Sequence, residues 1–232
     1  MISPVNGCRP TYDFTNPTGW KVSVIGDSLI WYAQLCEFFG GTNCAEHIDV
    51  RLNNAGRRAW VQAIHSMSFY SWLNVIREHA TTVPRVAVVA LGTNDAMRQA
   101  TAGSSAARDA RRAETTNSML AGVRAMLSPP PAGRNTCVVL VTASEKHATA
   151  GYTNEAGWVN NLMVQTSNLA EFAGKIKIVN WAAETRAHCG ASWLTNPSQT
   201  CDWFSSDQLH LVGAGDERRN DLILTAINSC LS

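Results

Sequence analysis

Four short stretches of the chain carry the residue types that acyl transfer requires. Gly26-Asp27-Ser28-Leu29 places a hydroxyl where an apolar run ends, and Asp207-Gln208-Leu209-His210 places an imidazole three residues after a carboxylate. Asn54-Ala55-Gly56 and Gly92-Thr93-Asn94-Asp95 add backbone and amide donors. A serine that attacks an ester needs a base for its proton, a carboxylate to fix the base's tautomer, and donors for the developing oxyanion. Each stretch also has an ordinary structural reading: a helix N-cap at Asp27 or Ser28, a turn at 92–95, a capping Asp207 beside a surface histidine. Their common order, each next to an expected strand end or helix, favours one site. His47, His65, His79, His147 and His188 lack a comparable carboxylate or glycine context and read as structural or solvated.

The elements that must position these groups alternate along the chain. Apolar, β-branched runs at 21–25, 48–52, 85–91, 137–142 and 175–180 read as strands. Helical spacing is read over 29–39, 60–78, 105–127, 155–172 and 212–229, with 129–131, all proline, stopping the third of these. Such alternation predicts a mostly parallel sheet with helices on both faces, and near-continuous apolar runs fit strands covered on both sides. Ligands in such sheets bind outside the carboxyl ends of the strands, where three of the four stretches are expected. No repeat or linker divides the chain, so 1–232 reads as a single domain with an N-terminal extension over 1–19.

Composition narrows the class. The 232 residues carry a net charge of +1 with basic residues scattered, which gives no nucleic-acid footprint, and no apolar run is long enough to span a membrane. Residues 1–18 are polar and rich in Pro, Asn and Gly, unlike a signal peptide, so the chain reads as cytosolic or as a mature exported form. Seven cysteines favour export, as disulfides persist in oxidising compartments. Cys36 with Cys44, Cys189 with Cys201 and Cys8 with Cys230 are the expected pairs, leaving Cys137 as a buried free thiol. A zinc site is not expected, because no Cys-x-x-Cys pair occurs and the histidines lack ligand spacing.

Taken together, the four stretches resemble those of the SGNH hydrolases, also called GDSL esterases and lipases. The resemblance implies a three-layer α/β/α sandwich around a five-stranded parallel sheet, flavodoxin-like in kind. It also implies Ser28 as nucleophile, Asp207 and His210 as its partners, and Asn94 as an oxyanion donor beside the Ser28 N–H. Asn180-Trp181 after the fifth strand looks like the family's usual ending there. One block departs from the family pattern: a glycine expected five residues after Asn54 is Ala59, while Gly56 lies three residues earlier, so the second backbone donor is Gly56 or Ala59. Arg57 and Arg58 would then lie at the rim. No cofactor is implied.

The expected activity is hydrolysis of short acyl esters, acetyl foremost, on a small molecule or polysaccharide. Two other readings stand beside it. One is an O-acyltransferase acting on sugar hydroxyls, which shares the same residues. The other is a non-catalytic carbohydrate-binding domain using some of the eight tryptophans, with Trp31, Trp60, Trp193 and Trp203 near the motifs. Packing is the commoner role for such rings.

Overall fold

Val, Ile and Ala dominate five short runs that become strands: β1 (Val22–Gly26), β2 (Ala59–Ala63), β3 (Val86–Ala90), β4 (Cys137–Val141) and β5 (Ile176–Val179). The computed structural model describes residues 22–30, 48–57, 59–128, 136–196 and 198–232. All the pairings are parallel, in the order β2-β1-β3-β4-β5. The chain therefore leaves β1 towards one edge and returns on the other side of it, so the strand order reverses between β1 and β3. A crevice opens at such a point, outside the carboxyl ends of the two strands.

Strand alternation explains the continuous apolar runs. Val22 and Val24 of β1, Val86 and Val88 of β3, and Val139 and Val141 of β4 enter one core with Trp181, Trp193, Ile223 and Ile227. Ile25, Ala87, Val89, Val138 and Leu140 point the other way, into a second core with Phe69, Trp72, Met119 and Val159. Helices α1 (Ile48–Asn54), α6 (Trp181–Cys189), α7 (Ala191–Thr195) and α8 (Ala214–Leu231) cover the first face. Helices α2 (Phe69–Thr81), α3 (Thr93–Ala100), α4 (Ser105–Leu127) and α5 (Tyr152–Ser167) cover the second. The result is a three-layer α/β/α sandwich.

The second strand is not where the alternation of Ile48, Val50 and Leu52 suggests. Those residues form α1, because Ile48 and Leu52 are also one helical turn apart and both are fully buried. Arg51 secures this helix to α8 through Asp221 and through the carbonyl of Glu217. The true second strand, β2, lies within the stretch expected to open a helix at Trp60, and α2 begins only at Phe69. There Ser68 forms a capping box with Ser71. The stretch over 181–206, to which no strand or helix was assigned, contains α6 and α7; of the helix expected over 29–39, only 29–30 fall within the described residues, and both are helical.

Two disulfides stand among the described residues. Cys189–Cys201 is the expected pair, with Cα atoms 5.4 Å apart. Cys137, however, bonds to Cys230, their Cα atoms 5.8 Å apart. Neither a free Cys137 nor a Cys8–Cys230 pair holds, because β4 alternation turns Cys137 towards the face that α8 covers. Cys8, Cys36 and Cys44 lie outside the described residues.

Polar groups also enter the second face. Ser23 donates its hydroxyl to His79 Nδ1, while His79 Nε2 lies 2.8 Å from Gln62 Oε1 and the ring stacks on Trp60 at 3.5 Å. Burial lowers the His79 pKa to about 3, so this histidine folds neutral and unfolds into a form that ionises near 6.5. The stability it contributes is complete above 6.5 and is lost as pH falls towards 3, by up to about 1.4 kcal/mol per pH unit. In urea titrations between pH 7 and 5, His79→Gln is expected to flatten the pH dependence of stability by close to one proton; an unchanged slope would contradict this.

Candidate active site

Ser28 owes its position to two neighbours. A Cβ on Gly26 would sit 2.3 Å from Ile30 Cγ1, so only glycine lets the chain turn this tightly from β1 into the helical residues 28–30. Asp27 then accepts from the Leu29 N–H at 3.0 Å, as an N-cap does. The capping and the nucleophile readings of this motif are therefore compatible, since Asp27 caps and Ser28 faces the crevice. Burial raises the Asp27 pKa, opposed by Arg219 from α8 and by hydrogen bonds from Leu29 and Thr93.

Across the crevice, β3 is followed by Gly92, whose φ of +119° is open to glycine and strained for other residues. A side chain there would also press on Met163 and Val159, at 2.9 and 3.0 Å. This turn starts α3 and puts Asn94 in its first turn. The Asn94 amide donates to the Met67 carbonyl at 3.0 Å and, at 3.4 Å, to Asp27 Oδ2. Asp95 is buried beneath and accepts from the Phe69 N–H (2.9 Å) and the Thr115 hydroxyl (3.0 Å), joining α2 and α4 to the turn. Burial pushes its pKa up to about 6, against those bonds and Arg98.

Asp207 and His210 meet in a tight turn closed by a bridge between Phe204 and Leu211 and by a Ser205 N–H to His210 carbonyl bond of 2.7 Å. Asp207 Oδ1 accepts from the Ser205 hydroxyl (2.6 Å) and the N–H groups of Leu209 (2.9 Å) and His210 (3.0 Å). Its Oδ2 lies 2.5 Å from His210 Nδ1. Partial burial would raise the carboxyl's pKa, but these hydrogen bonds hold it well below the usual carboxylate range. With Nδ1–H bonded to a carboxylate, Nε2 is left to accept, and it lies 3.2 Å from Ser28 Oγ. Ser28, His210 and Asp207 thus form one hydrogen-bonded line, with Asn94 on the other side of Asp27.

Gly56 and Ala59 are elsewhere. Gly56, at φ +68°, ends α1, where the Arg57 N–H returns to the Leu52 carbonyl. Ala59 pairs with Val22, at the amino end of β1, whereas Ser28 lies beyond its carboxyl end, about 13 Å along the strand. Neither residue reaches the crevice, and Arg57 contacts Asn228 of α8 rather than a rim; Arg58 lies outside the described residues. The segment that follows β2 at the crevice is 64–68, with Ser66 at φ +60° and Met67 bonded to Asn94. His147, in the loop after β4, was expected to be structural or solvated, yet it lies close enough to feel the charges of Asp207 and His210; burial lowers its pKa. His188, Cys201 and Asp202 converge within 4.8 Å, but the cysteine sulfur is committed to its disulfide.

Trp193 and Trp203 are buried and Trp60 stacks on His79. Trp31 lies outside the described residues. No helix among the described residues is long and apolar enough to cross a membrane.

No family model and no curated protein sequence matches the chain. Solved structures do. The C-terminal catalytic domain of Streptococcus pneumoniae peptidoglycan O-acetyltransferase A superposes with a TM-score of 0.59 at 18% identity, covering 91% of this chain and 94% of that one. An acetylxylan esterase from Geobacillus stearothermophilus, as a catalytic mutant, gives 0.62 at 15%, covering 90% and 94%. A GDSL-like lipase from Bacteroides thetaiotaomicron gives 0.56 at 17%, covering 90% and 87%. The fold is SGNH hydrolase-like. Within it, the parallel sheet sets Ser28 and Asn94 beyond the ends of adjacent strands, and the turn before the last helix brings His210 to Ser28.

Because Gly92 meets both a backbone and a packing limit, Gly92→Ala is expected to cost about 1–3 kcal/mol of stability. Chemical denaturation would check this, and a wild-type midpoint would contradict the strain assigned to the turn.

Proposed function

We propose that the protein is a serine esterase that hydrolyses short acyl esters, acetyl foremost, through an acyl-enzyme. The observation that carries this reading is the line from Asp207 through His210 to Ser28 Oγ, with distances of 2.5 and 3.2 Å. Ser28 attacks the ester carbonyl as His210 Nε2 takes its proton, and Asp207, held ionised, stabilises the resulting imidazolium. The oxyanion is received by the Ser28 N–H, by the Asn94 amide and by the backbone of 66–67, which replaces Gly56 and Ala59 as the source of the second donor. The long Asn94 contact to Asp27 is the one an oxyanion would displace. His210 then protonates the leaving alcohol, and water, activated by the same imidazole, frees the acid.

Transfer of the acyl group to a sugar hydroxyl is the second reading, favoured by the likeness to an O-acetyltransferase domain. It uses the same residues and differs only in what meets the acyl-enzyme. A carbohydrate-binding module without catalysis is disfavoured, since Trp193 and Trp203 are buried in the core and offer no sugar platform. The two disulfides favour an oxidising compartment, and hence an exported protein.

Hydrolysis of p-nitrophenyl esters of increasing acyl length tests the reading. Activity should be highest with acetyl and fall with chain length. It should vanish in a folded Ser28→Ala variant and drop by ~10²–10³ in Asn94→Ala. Wild-type turnover by Ser28→Ala would refute the mechanism.

A further inference from the structure

Gln208 stands between Asp207 and His210 with a φ of +56°, a conformation that a residue with a side chain adopts at a cost. Its side chain is buried, and its amide is engaged at both ends. Oε1 accepts from Trp193 Nε1 at 3.0 Å and from the Cys201 N–H at 3.1 Å, while Nε2 donates to the Ser205 carbonyl at 2.9 Å. Two other segments, at Trp193 and Cys201, and Ser205 within the histidine turn are therefore tied together by one side chain.

Each of those parts is itself fixed. Trp193 is fully buried against Phe204, and its carbonyl, with those of Asn196 and Gln199, accepts from the buried Lys146 Nζ at 2.7–2.9 Å. Cys201 is held by its disulfide to Cys189 at the end of α6. Ser205 donates its hydroxyl to Asp207 Oδ1, the oxygen opposite the one that faces His210. Fixing Ser205 thus fixes the rotation of the Asp207 carboxylate.

We propose that Gln208 is a positioning residue for the Asp207–His210 pair. Its buried amide transmits the rigidity of the Trp193 and Cys201 segments to the carboxylate that orients the imidazole. The proposal rests on the esterase reading for its kinetic consequence and on geometry alone for its structural one. Among the described residues, the charged or titrating groups around His210 include Asp207 in its own turn, Asp27 under Ser28, and His147 from the loop after β4. Gln208 is neutral, so replacing it with another neutral residue leaves that field unaltered and acts through geometry.

Gln208→Met keeps the volume and removes the three hydrogen bonds, and Trp193→Phe keeps the buried ring and removes one donor. With concentrations normalised by active-site titration, Gln208→Met is expected to lower kcat about 10- to 100-fold with KM little changed. The acid limb of its kcat/KM profile should move to lower pH, because a misaligned carboxylate stabilises the imidazolium less. Trp193→Phe should lower kcat in the wild-type background and not further in Gln208→Met. A folded Gln208→Met with wild-type kcat and acid limb, or additive effects of the two substitutions, would overturn the proposal. A proton resonance separates this from failure of the esterase reading. The downfield Nδ1–H signal of His210 should shift or broaden in Gln208→Met even if no ester is turned over, and an unchanged signal would also overturn it.

Discussion

One contact joins the two ends of the sequence: His210 Nε2 against Ser28 Oγ, 182 residues apart. It can exist only if the exit of β1 and the turn before α8 arrive at the same edge of the sheet. Parallel pairing supplies this constraint, since every strand then ends on one side and every crossover starts there. The reversal of strand order between β1 and β3 opens the crevice that the contact occupies, with Asn94 at the end of the second of those strands. Gly215 serves the same contact from α8. A Cβ there would strike the Trp203 carbonyl at 2.4 Å, so glycine lets the helix approach the segment that carries the histidine.

Beneath the crevice lie two buried carboxylates with different work. Asp27 caps the helical turn that presents Ser28 and touches Asn94, and it faces Arg219, a buried cation on α8. Asp95 gathers α2 and α4 around the Asn94 turn. Burial raises both, and at Asp95 the like charge of Asp27 adds to the rise. Asp207 differs because four donors surround it, which keeps it ionised while partly exposed. The same residue type thus stands in two settings, buried and raised at Asp27 and Asp95, richly hydrogen-bonded and lowered at Asp207.

Much of this was legible in the sequence where information is local. Ser28, Asn94, Asp207 and His210 lie in short motifs beside strand or helix ends, and β1, β3, β4 and β5 are apolar runs that hardly fit any other element. β2 was not legible, because Trp60 and Gln62 interrupt its apolar character to face His79 and the helical layer. Meanwhile Ile48, Val50 and Leu52 satisfy both periodicities. That one misplaced strand is why Gly56 and Ala59, expected beside Ser28, stand away from it, with Ala59 paired to Val22 at the opposite end of β1. The Cys137–Cys230 pair and the Gln208 network are tertiary facts, set by which face of β4 meets α8 and by how α7 packs on the turn. No spacing in the chain encodes them.

The likeness to esterases and to an O-acetyltransferase domain extends to the fold, and the crevice residues supply the chemistry argued for it. The mechanism proposed for that crevice has His210 activate Ser28. Reaction with phenylmethylsulfonyl fluoride, followed by intact mass and peptide mapping, tests it most directly. A single sulfonyl adduct is expected on Ser28, formed in the wild type and not in a folded His210→Ala variant. An adduct on another residue, or labelling of Ser28 at the same rate without His210, would contradict it.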